Sequence, residues 1–295
     1  WGEYLDQTFD PQLIEADFRK LHAAGVNTLR IFFYRLGDDI RAEDWHKIDA
    51  VLELAQRHGL YLLVHLFGHD STDMQDVLDV NRRLVHRLRG NPVVLGYDLR
   101  NEPTIPIMNR FKFPAANRPL AHTDYLLRHA GVEAEREFEK VRVPEMYSPL
   151  FSHEEATHAA LFGQLFSRFA DRYSLYSSTF RSDPFIPFQD DTLWQQVRHV
   201  AENLLETYIT IQADVVRRED PDALVTVGHN WAVDFLDANR HLDFISHHVY
   251  QRPRSHEFVL DNLLTFDALR GKWPDKPITY GEFGYTNGLG TPSGK

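Results

Sequence analysis

Residues 42–68 read AEDWHKIDAVLELAQRHGLYLLVHLFG, two patterns joined at a glycine. In the first, Trp45, Ile48, Leu52 and Ala55 recur at three- and four-residue intervals, which places them on one face of a helix. Gly59 stands where helices commonly close, because a left-handed residue there lets the last carbonyls find donors. The second pattern is apolar with almost no alternation, as expected of a strand covered on both faces. Helix, glycine and doubly buried strand make one unit of a parallel α/β fold.

The unit recurs along the chain. Asp10 and Pro11 form a helix start, an N-cap followed by proline at the first helical position. Ile14, Phe18 and Leu21 continue that helix on one face, Gly25 closes it, and VNTLRIFFY (26–34) follows with strand composition. DVLDVNRRLVHRLRGN (76–91) precedes VVLGYDLRNEP (93–103), and a long helix over 191–220 precedes ALVTVGHNW (223–231). A short helical segment leads into LDFISHHVY (242–250), and EFVLDNLLTFDALRGK (257–272) leads into PITYGEFGY (277–285). Six strands are expected, each after a helix.

Two architectures accommodate such a succession. An open doubly wound sheet carries a glycine-rich phosphate loop after a strand, and none is present here. Polar residues cluster after each strand instead, which favours a (β/α)8 TIM barrel with its site at the strand C-terminal ends. Six strands leave two to find, and the expectation is that the first lies before Trp1 and the last after Lys295. The absence of an initiating Met points the same way. Residues 1–295 are read as a single catalytic domain. An insertion of about 104–190 interrupts it, far longer than the ~2–6 residues of an ordinary βα loop. It follows the strand that presents Glu102, so it is expected at the mouth of the barrel, as a wall or lid or as a structural decoration.

Composition narrows the partners. With 43 acidic against 32 basic residues, a formal charge of −11 and no basic run, nucleic acid and anionic membranes are disfavoured. No apolar run reaches the ~18 residues of a spanning helix. The N-terminal residues lack the basic start and apolar core of a signal peptide. With no cysteine in the chain, disulfides, thiol nucleophiles and Cys-ligated zinc are excluded.

The chemistry-bearing residues sit where two apolar strands stop. LGYDLRNEPT (95–104) ends in Asn101, Glu102 and Pro103, and PITYGEFGY ends in Glu282 between Gly281 and Gly284. Each carboxylate alone is a weak signal. Two carboxylates on different strands of one barrel mouth are what glycoside hydrolysis requires, one as acid and one as nucleophile or base. Trp231 after the fifth barrel strand offers an aromatic platform for a sugar face, or simple packing, and His229 and Asn230 share that ambiguity.

From Asn27 to Tyr285, apart from the insertion, the sequence resembles the retaining β-glycosidases of glycoside hydrolase clan A, most of all the family 5 cellulases and mannanases. The resemblance implies that Glu102 of Asn-Glu-Pro is the acid/base, Glu282 the nucleophile, and Asn101 a ligand of the sugar 2-hydroxyl. Arg30 of NTLRIFF matches the arginine that steadies the nucleophile, and His248 and Tyr250 match a His-x-Tyr pair. His65 stands where the family often places a substrate-binding histidine. The family's aromatic on the last strand has no counterpart here. A secreted or cell-surface location is implied by the resemblance alone.

The expected reaction is double displacement with retention at a β-linked gluco- or manno-configured oligo- or polysaccharide, with the two carboxyl groups about 5–5.5 Å apart. No catalytic metal and no organic cofactor is needed for it. Two other readings stay open. One is a metal-dependent barrel hydrolase using His65, His69, Asp70, His247 and His248, although His65 and His69 on one strand would stand ~13 Å apart. The other is a carbohydrate-binding barrel without turnover.

Overall fold

The computed structural model describes residues 8–33, 35–68, 71, 73–103, 108, 111, 113–114, 192–229, 231–251 and 257–285. All six expected strands are present: β1 (Thr28–Phe32), β2 (Tyr61–His65), β3 (Val94–Asn101), β4 (Leu224–His229), β5 (Ile245–Gln251) and β6 (Ile278–Tyr285). They follow one another in chain order within a six-stranded sheet, and the paired strands run parallel. The helices are α1 (Pro11–Ala23), α2 (Gly37–Arg41), α3 (His46–Arg57), α4 (Met74–Leu88), α5 (Thr192–Glu219) and α6 (Glu257–Lys272). This succession is a partial (β/α)8 barrel. The insertion expected over about 104–190 lies outside the described residues, apart from Met108, Phe111, Phe113 and Pro114.

Local chemistry explains the element ends. The Asp10 carboxylate accepts from the backbone N–H groups of Gln12 and Leu13 at 3.0 and 3.1 Å, satisfying two donors that a helix start leaves over. Gly59 takes φ +63° after α3, the left-handed closure its position called for. Between β4 and β5 the expected helical segment is two short 3-10 turns, Trp231–Phe235 and Asp237–His241. The second turn has no capping side chain of its own. Glu202 of α5 does that work, one oxygen accepting from the Asp237 N–H and the other from that of Ala238, both at 2.8 Å.

The chain divides into two compact units. One comprises residues 1–101, 112–114 and 210–227, and the other residues 102–111, 115–209 and 228–295. In the first, Val51, Leu62, Val64, Val77 and Leu84 are fully buried, as the doubly covered strand pattern requires. Asn81 of α4, also buried, ties down the turn after β2. Its amide donates to the Phe67 carbonyl and to Gln212, both at 2.9 Å, and its oxygen accepts from the Phe67 N–H. In the second unit, Val200, Leu204, Tyr208, Phe235 and Ile245 are buried.

Candidate active site

The C-terminal ends of the strands carry two clusters of polar side chains, one in each unit. In the first unit, Arg30 of β1 and Asp98 of β3 form an ion pair whose side chains are 6% and 0% exposed. Such a pair persists only where each charge has its partner at hand. Arg30 donates through Nε to Asp98 at 2.9 Å and through Nη2 to the side-chain oxygen of Asn101, also at 2.9 Å. The guanidinium lies 4.6 Å above the Phe32 ring, and Phe32 packs against His65 at a centroid distance of 4.9 Å. His65 completes the circuit by accepting the Asn101 backbone N–H at its Nε2 across 2.8 Å.

The second cluster brings Glu102, His248 and Glu282 together. His248 and Glu282 are register partners on β5 and β6, just past an irregularity between His247 and His248. His248 Nδ1 lies 2.9 Å from Glu102 Oε1 and 3.6 Å from Glu282 Oε2. One ligand atom from each of the three residues falls within 4.8 Å of the others. The His248 side chain is fully buried, whereas the Glu102 and Glu282 side chains are 28% and 21% exposed. An ionised carboxylate only accepts, so with Glu102 charged the imidazole proton sits on Nδ1. The buried ring thus holds one carboxylate directly and stands beside the second.

Two backbone features make this approach possible. Glu102 has φ +44°, a conformation in which a side chain is strained, and its N–H donates to the Gly228 carbonyl at 2.7 Å. Gly281 makes the other contribution. A Cβ there would come within 2.0 Å of Ser246 Oγ and 3.1 Å of His248 Nε2, so only glycine lets β6 lie this close to β5.

Among the described residues, Glu102, His248 and Glu282 are also the one group of three with metal-ligand atoms in mutual reach. Within that group the direct hydrogen bond is the one between Glu102 and His248. Two of the histidines that suggested a metal hydrolase have other engagements. His65 is bound to Asn101, and the Nδ1 of His247 pairs with buried Asp234. His69, Asp70 and Asn230 lie outside the described residues, as do the side chains of Trp231 and Tyr250. His229 is buried and hydrogen-bonds the Asn239 side-chain oxygen at 2.7 Å. Since the Asn239 amide donates to Val233, that histidine donates from Nε2.

Two contributors escaped the sequence reading, Asp98 and Ser246. Asp98 was detectable in principle, as a lone acid in an apolar strand that needs a buried cation, with Arg30 the matching lone base. Ser246 carries no such signal.

Comparison with solved structures places this arrangement among known folds. The β-galactosidase of Bacillus circulans sp. alkalophilus matches over 90% of this chain with a TM-score of 0.52 at 13% identity. The two share a fold. The match covers 42% of the galactosidase, so the chain spans about two fifths of that protein's length. The β-galactosidase of Marinomonas ef1 is covered over 39% of its length, at a TM-score of 0.47 and 12% identity, by 81% of this chain. An endo-1,4-β-mannanase from Eisenia fetida matches 98% of this chain and 81% of its own, at a TM-score of 0.44 and 14% identity. No protein-family model matches the chain, and no curated protein matches it.

Proposed function

We propose that the chain is a retaining β-glycoside hydrolase, with Glu282 as nucleophile and Glu102 as acid/base. The observation that carries the reading is the meeting of Glu102 and Glu282 at His248, with carboxylate oxygens within 4.8 Å of each other. Retaining enzymes hold their carboxyl groups about 5–5.5 Å apart, whereas inverting ones leave about 6.5–9.5 Å for a water between them. The fold shared with a β-galactosidase agrees with this chemistry.

In the first step Glu282 attacks the anomeric carbon as Glu102 protonates the departing oxygen. In the second, Glu102 takes a proton from water, which displaces Glu282 and releases the sugar with its β configuration kept. His248 positions Glu102 through its Nδ1. Asn101 is assigned to the sugar 2-hydroxyl by the family resemblance alone; in its own unit its side-chain oxygen accepts from Arg30. Trp231 and Tyr250 are assigned to sugar contact by the family resemblance alone.

The substrate is a β-linked gluco- or manno-configured oligo- or polysaccharide. Aryl β-glucosides, β-mannosides and β-galactosides, the last included because of the shared fold, separate the sugar choices. Proton NMR of the first turnovers identifies the anomer released. The β anomer is expected, with a loss of about 10²–10⁴-fold in Glu102→Ala. First release of the α anomer, or activity insensitive to both glutamates, contradicts it.

A further inference from the structure

Asn101 is gripped at two points, and the two grips differ in kind. Its side-chain oxygen accepts from Arg30 Nη2 at 2.9 Å, while its backbone N–H donates to His65 Nε2 at 2.8 Å. A backbone N–H has no lone pair to offer and can only donate, so Nε2 of His65 must be the unprotonated nitrogen of the ring. The imidazole is therefore neutral, with its proton on Nδ1. The ring is 1% exposed and lies against Phe32, its register partner, on which the Arg30 guanidinium also rests.

We propose that His65 is a positioning residue which acts by accepting a backbone hydrogen bond: in its neutral Nδ1–H form it clamps the Asn101 peptide and fixes the course of the chain into Glu102. The register supports this assignment. β2 and β3 pair in parallel up to His65 opposite Asp98, and β2 ends at His65. The Leu66 N–H still donates to the Asp98 carbonyl at 2.9 Å, so the next β3 amide due to face β2 is that of Arg100, which turns to Asp98 Oδ1 at 3.3 Å. The Asn101 N–H falls outside that ladder, and the His65 side chain is its acceptor. The next residue, Glu102, bends out of the strand at φ +44°. A fixed peptide immediately before a strained one determines where the carboxylate points.

The catalytic consequence rests on the glycosidase reading, but the clamp does not, so the tests separate the two. In the unmodified protein, nitrogen-15 NMR of the His65 ring should show a protonated Nδ1, an unprotonated Nε2 and a scalar coupling from Nε2 to the Asn101 amide. A protonated Nε2, or no coupling, overturns the clamp whatever the activity. If the NMR result holds and no β-glycoside is cleaved, the glycosidase reading fails and the clamp stands. Two variants test the effect on turnover. His65→Phe keeps the packing on Phe32 but removes the acceptor, whereas His65→Gln returns an amide oxygen near the place of Nε2. The expected pattern is a kcat loss of about tenfold or more in His65→Phe with KM within about twofold, and recovery to within about threefold of the parent in His65→Gln. Equal impairment of both, or a loss confined to KM, overturns the positioning role in favour of packing or direct sugar contact.

Discussion

The backbone N–H of Glu102 donates to the carbonyl of Gly228 across 2.7 Å while Glu102 itself takes a left-handed backbone, φ +44°. That conformation costs an L residue about 1–2 kcal/mol relative to glycine, and the bond to Gly228 helps to hold it. Glu102→Gly should therefore be more stable than Glu102→Ala by about 1 kcal/mol, reversing the order found at an ordinary position. Urea unfolding of the two variants measures this. An alanine variant as stable as the glycine one would show that the site is not strained.

Gly281 sets the distance between β5 and β6 at the site. Gly281→Ala drives a methyl group into Ser246 Oγ and His248 Nε2, and overpacking of this kind costs roughly 1–3 kcal/mol. Because the closer contact is the serine oxygen, adding Ser246→Ala should restore part of the loss. A thermal-unfolding cycle over the four proteins reads the coupling. Strict additivity would mean that the two residues do not meet.

The Arg30–Asp98 pair is buried on both sides. Removing one partner takes from the buried guanidinium the carboxylate it is paired with, so Asp98→Ala should cost about 3–5 kcal/mol in urea unfolding. It should also release Arg30 from the position in which it meets Asn101. A loss below 1 kcal/mol would indicate that the pair is solvated in the native protein.

Glu202 gives a pH signature. Burial raises its pKa above the ordinary 4.5, while hydrogen bonds from the Asp237 and Ala238 N–H groups pull the other way. A raised folded pKa means that the native state binds the proton more tightly than the unfolded chain. Its stabilising contribution is complete below about 4.5 and is lost as pH rises through the folded value. Asp76 works in the opposite sense. Its hydrogen bond from Arg41 lowers its pKa, so its contribution is present above the ordinary carboxyl value and fades on acidification. In Glu202→Gln the slope of unfolding free energy against pH, measured from pH 4 to 7, should become more positive than in the parent. An unchanged slope would contradict the assignment.

Much of the fold was readable because its strands are apolar and its helices amphipathic. The run Leu60–Phe67 admits few readings other than a covered strand, and Asp10-Pro11 few other than a helix start. The segment between β4 and β5 was harder. It forms 3-10 turns whose cap is a glutamate more than thirty residues upstream in α5, a tertiary effect that local periodicity does not carry. At the site, Glu102 and Glu282 stood out because charge is conspicuous at the end of an apolar strand. The clamp by His65 did not, since it depends on a side chain of β2 meeting a backbone N–H of β3. That meeting exists only in the paired sheet.

The central claim is that Glu282 forms a covalent bond to the sugar. A β-glycoside bearing fluorine at C2 and a good leaving group slows both steps by destabilising the charged transition states, and it slows release more than formation, so the intermediate accumulates. Mass spectrometry of the digested protein should find one added glycosyl group on the peptide containing Glu282, and none in Glu282→Gln. A glycosyl group on any other residue, or steady turnover of the parent glycoside with no trapped adduct across the gluco, manno and galacto reagents, would contradict it.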